Sequence, residues 1–247
     1  MKKLVILLIA VLLSASLAQD LGGKTLVVGS DTTFPPFESI NDEGVTVGFD
    51  VDVLKAVCEK INCVVEFQTT AWDGIFAALA QGEFDLVASG VTITEERDEV
   101  VDFSDPYYYA NQAIALRPED DGLTLEDLKA GNQVLGAQVG TTNAILAEEL
   151  FGRDRLSLYD DFNSAVLALI NGDVDAVVID GGAAKEFAQQ YAGDVIVGIT
   201  GVTGEDPEAY GFAAQEGDEI LEAINAGLAA INEDGTYVRI YKKWFGN

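Results

Sequence analysis

The chain has 247 residues, 49% of them apolar, which is enough to build packed cores and argues against a disordered chain. Its 14 basic and 42 acidic residues give a net charge of −28, a field that repels nucleic acid and anionic membrane surfaces. With no histidine and only Cys58 and Cys63, the chain has a poor ligand set for zinc, and no cofactor is expected.

Lys2 and Lys3 precede an unbroken apolar run from Leu4 to Leu13, followed by Ser14, Ala15, Ser16, Leu17 and Ala18. A basic start, about ten apolar residues and small residues at a cleavable position read as a secretory signal, with cleavage expected after Ala18. The run is shorter than the ~20 residues a spanning helix needs. No cysteine follows it to take a lipid, so the expected location is the periplasm. The expected mature chain keeps 12 basic against 42 acidic residues, a charge that favours a soluble monomer and a cationic ligand. Because the acids are scattered along the chain, adaptation to a saline habitat explains them as well, since salt screens their repulsion.

Leu26 to Gly29 is a short apolar strand, and "DTTFPPFE" at 31–38 reads as a loop stiffened by Pro35 and Pro36. Phe49 to Ile61 has helical spacing, with Val53, Leu54 and Val57 on one face, and stops near Asn62. Val64 to Phe67 is a second strand, Trp72 to Ala80 a helix and Asp85 to Ala88 a third strand. Such alternation builds a sheet covered by helices. In an oxidising compartment Cys58 and Cys63 would form a disulfide clipping the helix end to the next strand; a pair of buried thiols is the alternative.

Residues 72–90, "WDGIFAALAQGEFDLVASG", are echoed by residues 162–180, "FNSAVLALINGDVDAVVID". The offset sets Trp72 over Phe162, Gly82 over Gly172 and Asp85 over Asp175. A looser echo pairs "VVGSDTT" at 27–33 with "VLGAQVGTT" at 134–142. Both point to two α/β lobes of one plan, with Gly90 and Asp180 at equivalent carboxyl ends of strands, where open sheets bind ligands. The expected division is a first lobe at 19–111, a second at 112–202, and a return crossing at 203–247. Leu221 to Leu228 and Thr236 to Phe245 read as helices packing back on the first lobe, with hinges near 112 and 203–208.

Arg97 sits just beyond a strand end in "SGVTITEER"; its planar fork suits a carboxylate, although Glu95, Glu96 or Asp98 could pair with it at the surface. "VGTTNAIL" at 139–146 is a turn opening a helix whose free amides favour an anion, unless Thr142 serves only as a cap. Asp31 and Asp180 follow apolar strands and could meet an ammonium or amide, or cap a helix. Phe34 and Trp72 could be core residues or flat faces against a cation. Together these groups describe a site for a zwitterion with a polar or cationic side chain.

"VVGSDTTFPPFE", "VGFDVDV", "AWDGIFAAL", "SGVTITEERDEVVDFSDPYY", "VGTT", "VDAVVID" and "DGTYVRIYKKWFG" together resemble the bacterial polar-amino-acid-binding proteins of ABC importers, solute-binding protein family 3. The resemblance implies a bilobed periplasmic-binding-protein fold (type II), two mixed-sheet lobes joined by two hinge strands and closing on ligand. It implies that Arg97 clamps an α-carboxylate, assisted by the Thr141 and Thr142 backbone. The Gly90 carbonyl, the Thr92 hydroxyl and Asp180, with Ser89 beside them, would hold the α-ammonium. Phe34 and Trp72 would be aromatic walls, Asp31 would reach the side chain, and Gln138 lies where some relatives carry a ligand-facing lysine. Arginine or lysine is the expected free amino acid, with glutamine as the alternative, and an ABC permease the expected partner. A periplasmic dehydratase on the same frame is the rival from another class, and a sensory module a third. The dehydratase needs a general acid in the cleft, and the chain has no histidine, no G-x-S-x-G turn and no spare cleft lysine.

Overall fold

The structure is a computed structural model describing residues 20–204 and 207–246. The secretory signal read at residues 1–18 lies outside the described residues.

Two five-stranded mixed sheets organise the chain. The first runs Cys63–Thr69, Lys24–Ser30, Leu86–Val87, Ala213–Gln215, Val101–Phe103 across the sheet, with the first three strands parallel and Ala213–Gln215 antiparallel to both its neighbours. The second repeats the plan: Leu156–Tyr159, Leu135–Gln138 and Ala176–Asp180 are parallel, and Gln112–Leu116 runs antiparallel between Ala176–Asp180 and Ile196–Thr200. In each sheet the antiparallel fourth strand is the one that follows a crossing between lobes. The crossings themselves, Tyr108–Ala110 and Glu208–Tyr210, pair side by side.

Sequence explains which strands are central. Gln112–Leu116 and Ala176–Asp180 are buried at every residue, as expected for strands covered on both faces. Cys63–Thr69 alternates half-buried and exposed residues at a sheet edge. Helix Phe49–Ile61 buries Phe49, Val53, Leu54, Val57 and Ile61, and ends where Asn62 takes a left-handed backbone with φ 56°. Cys58 in its last turn is disulfide-bonded to Cys63, the first residue of the edge strand. Helix Ile220–Glu233 crosses it at Gly227, where a Cβ would lie 2.6 Å from Val57 Cγ1. Helix Thr236–Phe245 also returns to this lobe, with Lys243 Nζ 2.6 Å and Trp244 Nε1 2.8 Å from Asp52 Oδ2.

The internal repeat is visible in single hydrogen bonds. Asp85 exchanges two bonds with Val27, amide to carbonyl at 2.8 Å and carboxylate from amide at 2.8 Å. Asp175 makes the same pair with Val134, at 2.7 and 2.9 Å. Gly82 and Gly172 both end their helices with φ 80°. The repeated aspartates therefore tie equivalent neighbouring strands in the two lobes.

Two elements differ from expectation. Segment 31–38 is not all loop: Thr33–Phe34 pairs with Glu38–Ile40, which pairs with Thr46–Val47. Two-residue strands leave too short an alternation to be read from sequence. The helix expected from Trp72 starts only at Ile75, because Gly74 before it is left-handed with φ 84°. Among the described residues no helix is long and apolar enough to cross a membrane.

Candidate functional site

The carboxyl ends of the parallel strands in both lobes face one cleft. The first lobe contributes Asp31 after Lys24–Ser30, and Ser89, Gly90 and Thr92 after Leu86–Val87. The second contributes Gln138, which ends Leu135–Gln138, and Asp180, which ends Ala176–Asp180. Phe34, Trp72, Arg97, Thr141 and Thr142 line the same pocket. All eleven residues singled out from the sequence thus lie around one space.

Arg97 follows Thr94, whose hydroxyl caps the short helix Glu95–Asp98 by accepting from the Arg97 amide at 3.2 Å. Its side chain turns inward. Nη1 donates to the Thr92 carbonyl at 2.7 Å and Nη2 to the Gly140 carbonyl of the other lobe at 3.3 Å. The guanidinium carbon lies 5.1 Å from the Trp72 ring centre and 5.0 Å from that of Phe76. Among the described residues it makes no ion pair, so the surface pairing with Glu95, Glu96 or Asp98 does not occur. Burial lowers its pKa to about 10, partly offset by Glu208 and Asp180. It remains a cation at neutral pH.

Opposite Arg97, helix Thr142–Phe151 begins at the pocket. Thr141, not Thr142, is its cap: the hydroxyl accepts from the Ala144 amide at 3.1 Å and donates to the Gln138 carbonyl at 2.7 Å. A helix start carries amides without intrahelical partners and the positive end of the dipole. Together with Arg97 it can hold a carboxylate.

Asp180 stands at the N-cap position of helix Gly181–Gln190 but makes no cap bond. Its oxygens instead accept from Asn143 Nδ2 at 2.9 Å and from the Tyr210 hydroxyl. Burial raises its pKa to about 6, helped by Glu208 and opposed by those two donors and Arg97. It is ionised at neutral pH and can meet an ammonium. Asp31 takes the Thr33 hydroxyl at 2.8 Å on one oxygen and Gln138 Nε2 of the other lobe at 2.6 Å on the second. Its pKa is raised by burial against these bonds. Gly90 holds a left-handed backbone with φ 53°, and a Cβ there would lie 2.8 Å from Phe34. The Phe34 ring stacks on Phe162 across the cleft, centres 5.2 Å apart and 28° from parallel.

Sequence reading missed four contributors. Phe162 and Asn143 line the pocket. Phe162 had a signal, since the repeat places it over Trp72. Phe76 flanks Arg97, and Glu208 accepts from Gln112 Nε2 at 2.9 Å and the Thr142 hydroxyl at 3.2 Å. These roles depend on contacts between distant segments that no local pattern records.

The sequence model of the bacterial extracellular solute-binding proteins, family 3, matches residues 26–247. A probable histidine-binding protein of Neisseria gonorrhoeae is 35% identical over 228 residues, covering 90% of this chain and 84% of that one. ABC transporter arginine-binding protein 1 of Escherichia coli (strain K12) is 32% identical over 250 residues, covering 99% of each chain. Among solved structures, an ancestral arginine-binding protein bound to glutamine has a TM-score of 0.83 at 42% identity, covering 90% of this chain and 98% of that one.

Proposed function

Because the chain belongs to the bacterial extracellular solute-binding proteins of family 3, we propose that it captures a free L-amino acid with a cationic side chain, arginine or lysine, and delivers it to an ABC importer. The observation that carries this reading is the set of charges lining one pocket. Arg97 and a helix start supply positive charge, Asp180 lies close enough to Arg97 to feel its charge, and Asp31 shares the lining with the stacked rings of Phe34 and Phe162. A carboxylate, an ammonium and a second cation match that set. The flat faces beside Asp31 suit a guanidinium. A glutamate ligand would set its second carboxylate against Asp31. The relatives described above carry the names of binding proteins, which favours a receptor over the dehydratase reading.

Glutamine is the second reading, and one bond favours it. Asp31 already accepts from a primary amide, that of Gln138, at 2.6 Å. A ligand amide could make the same bond. The name of the ancestral relative, arginine-binding yet bound to glutamine, fits a pocket of this kind serving both.

The test is calorimetry on refolded, ligand-stripped protein with arginine, lysine, histidine, glutamine and glutamate. Tight binding of arginine or lysine supports the cationic reading. Glutamine alone would transfer Asp31 to amide recognition, and no heat from any of the five would overturn the receptor reading.

A further inference from the structure

Behind the cleft, outside the pocket lining, lie two carboxyl groups that the proposed capture of an amino acid does not use. Glu38 opens strand Glu38–Ile40 and Asp50 sits in the first turn of helix Phe49–Ile61; both are 0% exposed. The Asp50 amide donates to the Phe37 carbonyl at 3.0 Å, and the two carboxyl groups lie within hydrogen-bond reach of each other. No cation pairs with either among the described residues.

Each reaches one point of the strand end that faces the cleft. Glu38 Oε1 accepts from the Ser89 hydroxyl at 3.0 Å, and that hydroxyl accepts from the Asp31 amide at 2.9 Å. Asp50 Oδ2 accepts from the Gly90 amide at 2.8 Å and from the Tyr107 hydroxyl at 2.6 Å. The remaining oxygens, Glu38 Oε2 and Asp50 Oδ1, are buried and find no donor among the described residues. Two adjacent buried carboxylates without a cation cannot both be ionised. One proton between the orphan oxygens satisfies both.

We propose that Glu38 and Asp50 share one proton and act as a positioning pair, fixing the Ser89 hydroxyl and the Gly90 amide at the floor of the cleft. The proton resides on Glu38. Asp50 is the better anion, because it takes two donors on one oxygen and lies in the first turn of a helix. Burial and the Asp50 charge push Glu38 well above the ordinary carboxyl range, while Asp50, raised by burial to about 6, is pulled back by Tyr107 and Gly90. The other titratable groups facing the pair are Asp31, Tyr107, Tyr108 and Tyr237, which add no positive charge. The effect on amino-acid capture rests on the function proposed above; the shared proton does not.

The experiment compares the wild-type protein with Glu38→Gln and Glu38→Ala. At about pH 8, where ordinary carboxyl groups are ionised, the infrared spectrum of the wild type should show the carbonyl stretch of a neutral carboxylic acid. Glu38→Gln should lose it. A carboxyl raised in the folded state favours folding fully below its unfolded pKa and loses that contribution as pH rises toward the folded value. Glu38→Gln should therefore flatten the decline of melting temperature with rising pH. With L-arginine as the probe, Glu38→Gln should bind within about threefold of wild type, and Glu38→Ala at least about tenfold more weakly, the cost of leaving the buried Ser89 hydroxyl unpaired. Absence of the neutral-acid band from the wild type, or its survival in Glu38→Gln, would overturn the shared proton. Equal arginine affinity of the two variants would overturn the positioning role. If the wild type binds no arginine, the proposed function fails while the infrared and melting measurements still decide on the pair.

Discussion

At the scale of single residues, Asp180 shows how a strand end becomes a charge site. A carboxylate leading into a helix would ordinarily cap it. Here the cap bond is absent and both oxygens are turned to side-chain donors, Asn143 and Tyr210. The group is kept ionised at neutral pH but close to titration, at about 6 against an ordinary 3.8. Because its folded value is raised, its contribution to stability is complete below the unfolded value and is lost as pH rises through about 6. Asp180→Asn should therefore make the ligand-free protein more stable than wild type above pH 6, by roughly 3 kcal/mol, and similar below about pH 4. Its affinity for an amino acid should fall at least tenfold at neutral pH, as an ammonium loses its counter-charge. Thermal denaturation across that range, with parallel pH profiles for the two proteins, would contradict the assignment. Asp180 was legible as a strand-end carboxylate; its partners were not, because Tyr210 and Asn143 lie 30 and 37 residues away in sequence.

At the scale of elements, periodicity and punctuation carried most of the fold. Helix Phe49–Ile61 has the bounds its spacing implies. Gly74 shows where punctuation was misread, since its left-handed backbone forces the helix to start late. The short hairpin at Thr33–Phe34 and Glu38–Ile40 was hidden by its prolines. The Cys58–Cys63 bridge joins a helix end to an edge strand, and Cys63 pairs in register with Lys24, whereas Thr69 pairs with Ser30 at the cleft end. Six residues of extended strand place the bridge about 20 Å from the site. Cys58→Ser with Cys63→Ser should lower stability by roughly 2 kcal/mol, the entropy of so short a loop. Amino-acid affinity should stay unchanged. Denaturant titration together with calorimetry separates the two effects, and a parallel loss of affinity would tie the bridge to the cleft.

At the scale of the whole molecule, the two lobes meet through few but specific cross-cleft bonds. Trp72 Nε1 and Arg97 Nη2 both donate to the Gly140 carbonyl, at 3.0 and 3.3 Å, and Gln138 reaches Asp31 at 2.6 Å. A ligand held by groups from both lobes gains its full set of contacts only when they are together, and so stabilises the closed arrangement. The net charge of −28 adds a long-range preference for cations that salt weakens. Composition made that charge legible, and the 90-residue echo made the two-lobed plan legible. The pairing of Gln138 with Asp31, 107 residues apart, was beyond either. The most direct measurement is a crystal structure of the ligand-stripped protein grown with L-arginine. The expected result places the ligand carboxylate on Arg97 and the helix start at Thr142, its ammonium on Asp180, and its guanidinium against Asp31 beside Phe34. An arginine lying in the opposite sense, or a cleft that takes up none, would contradict the proposed function.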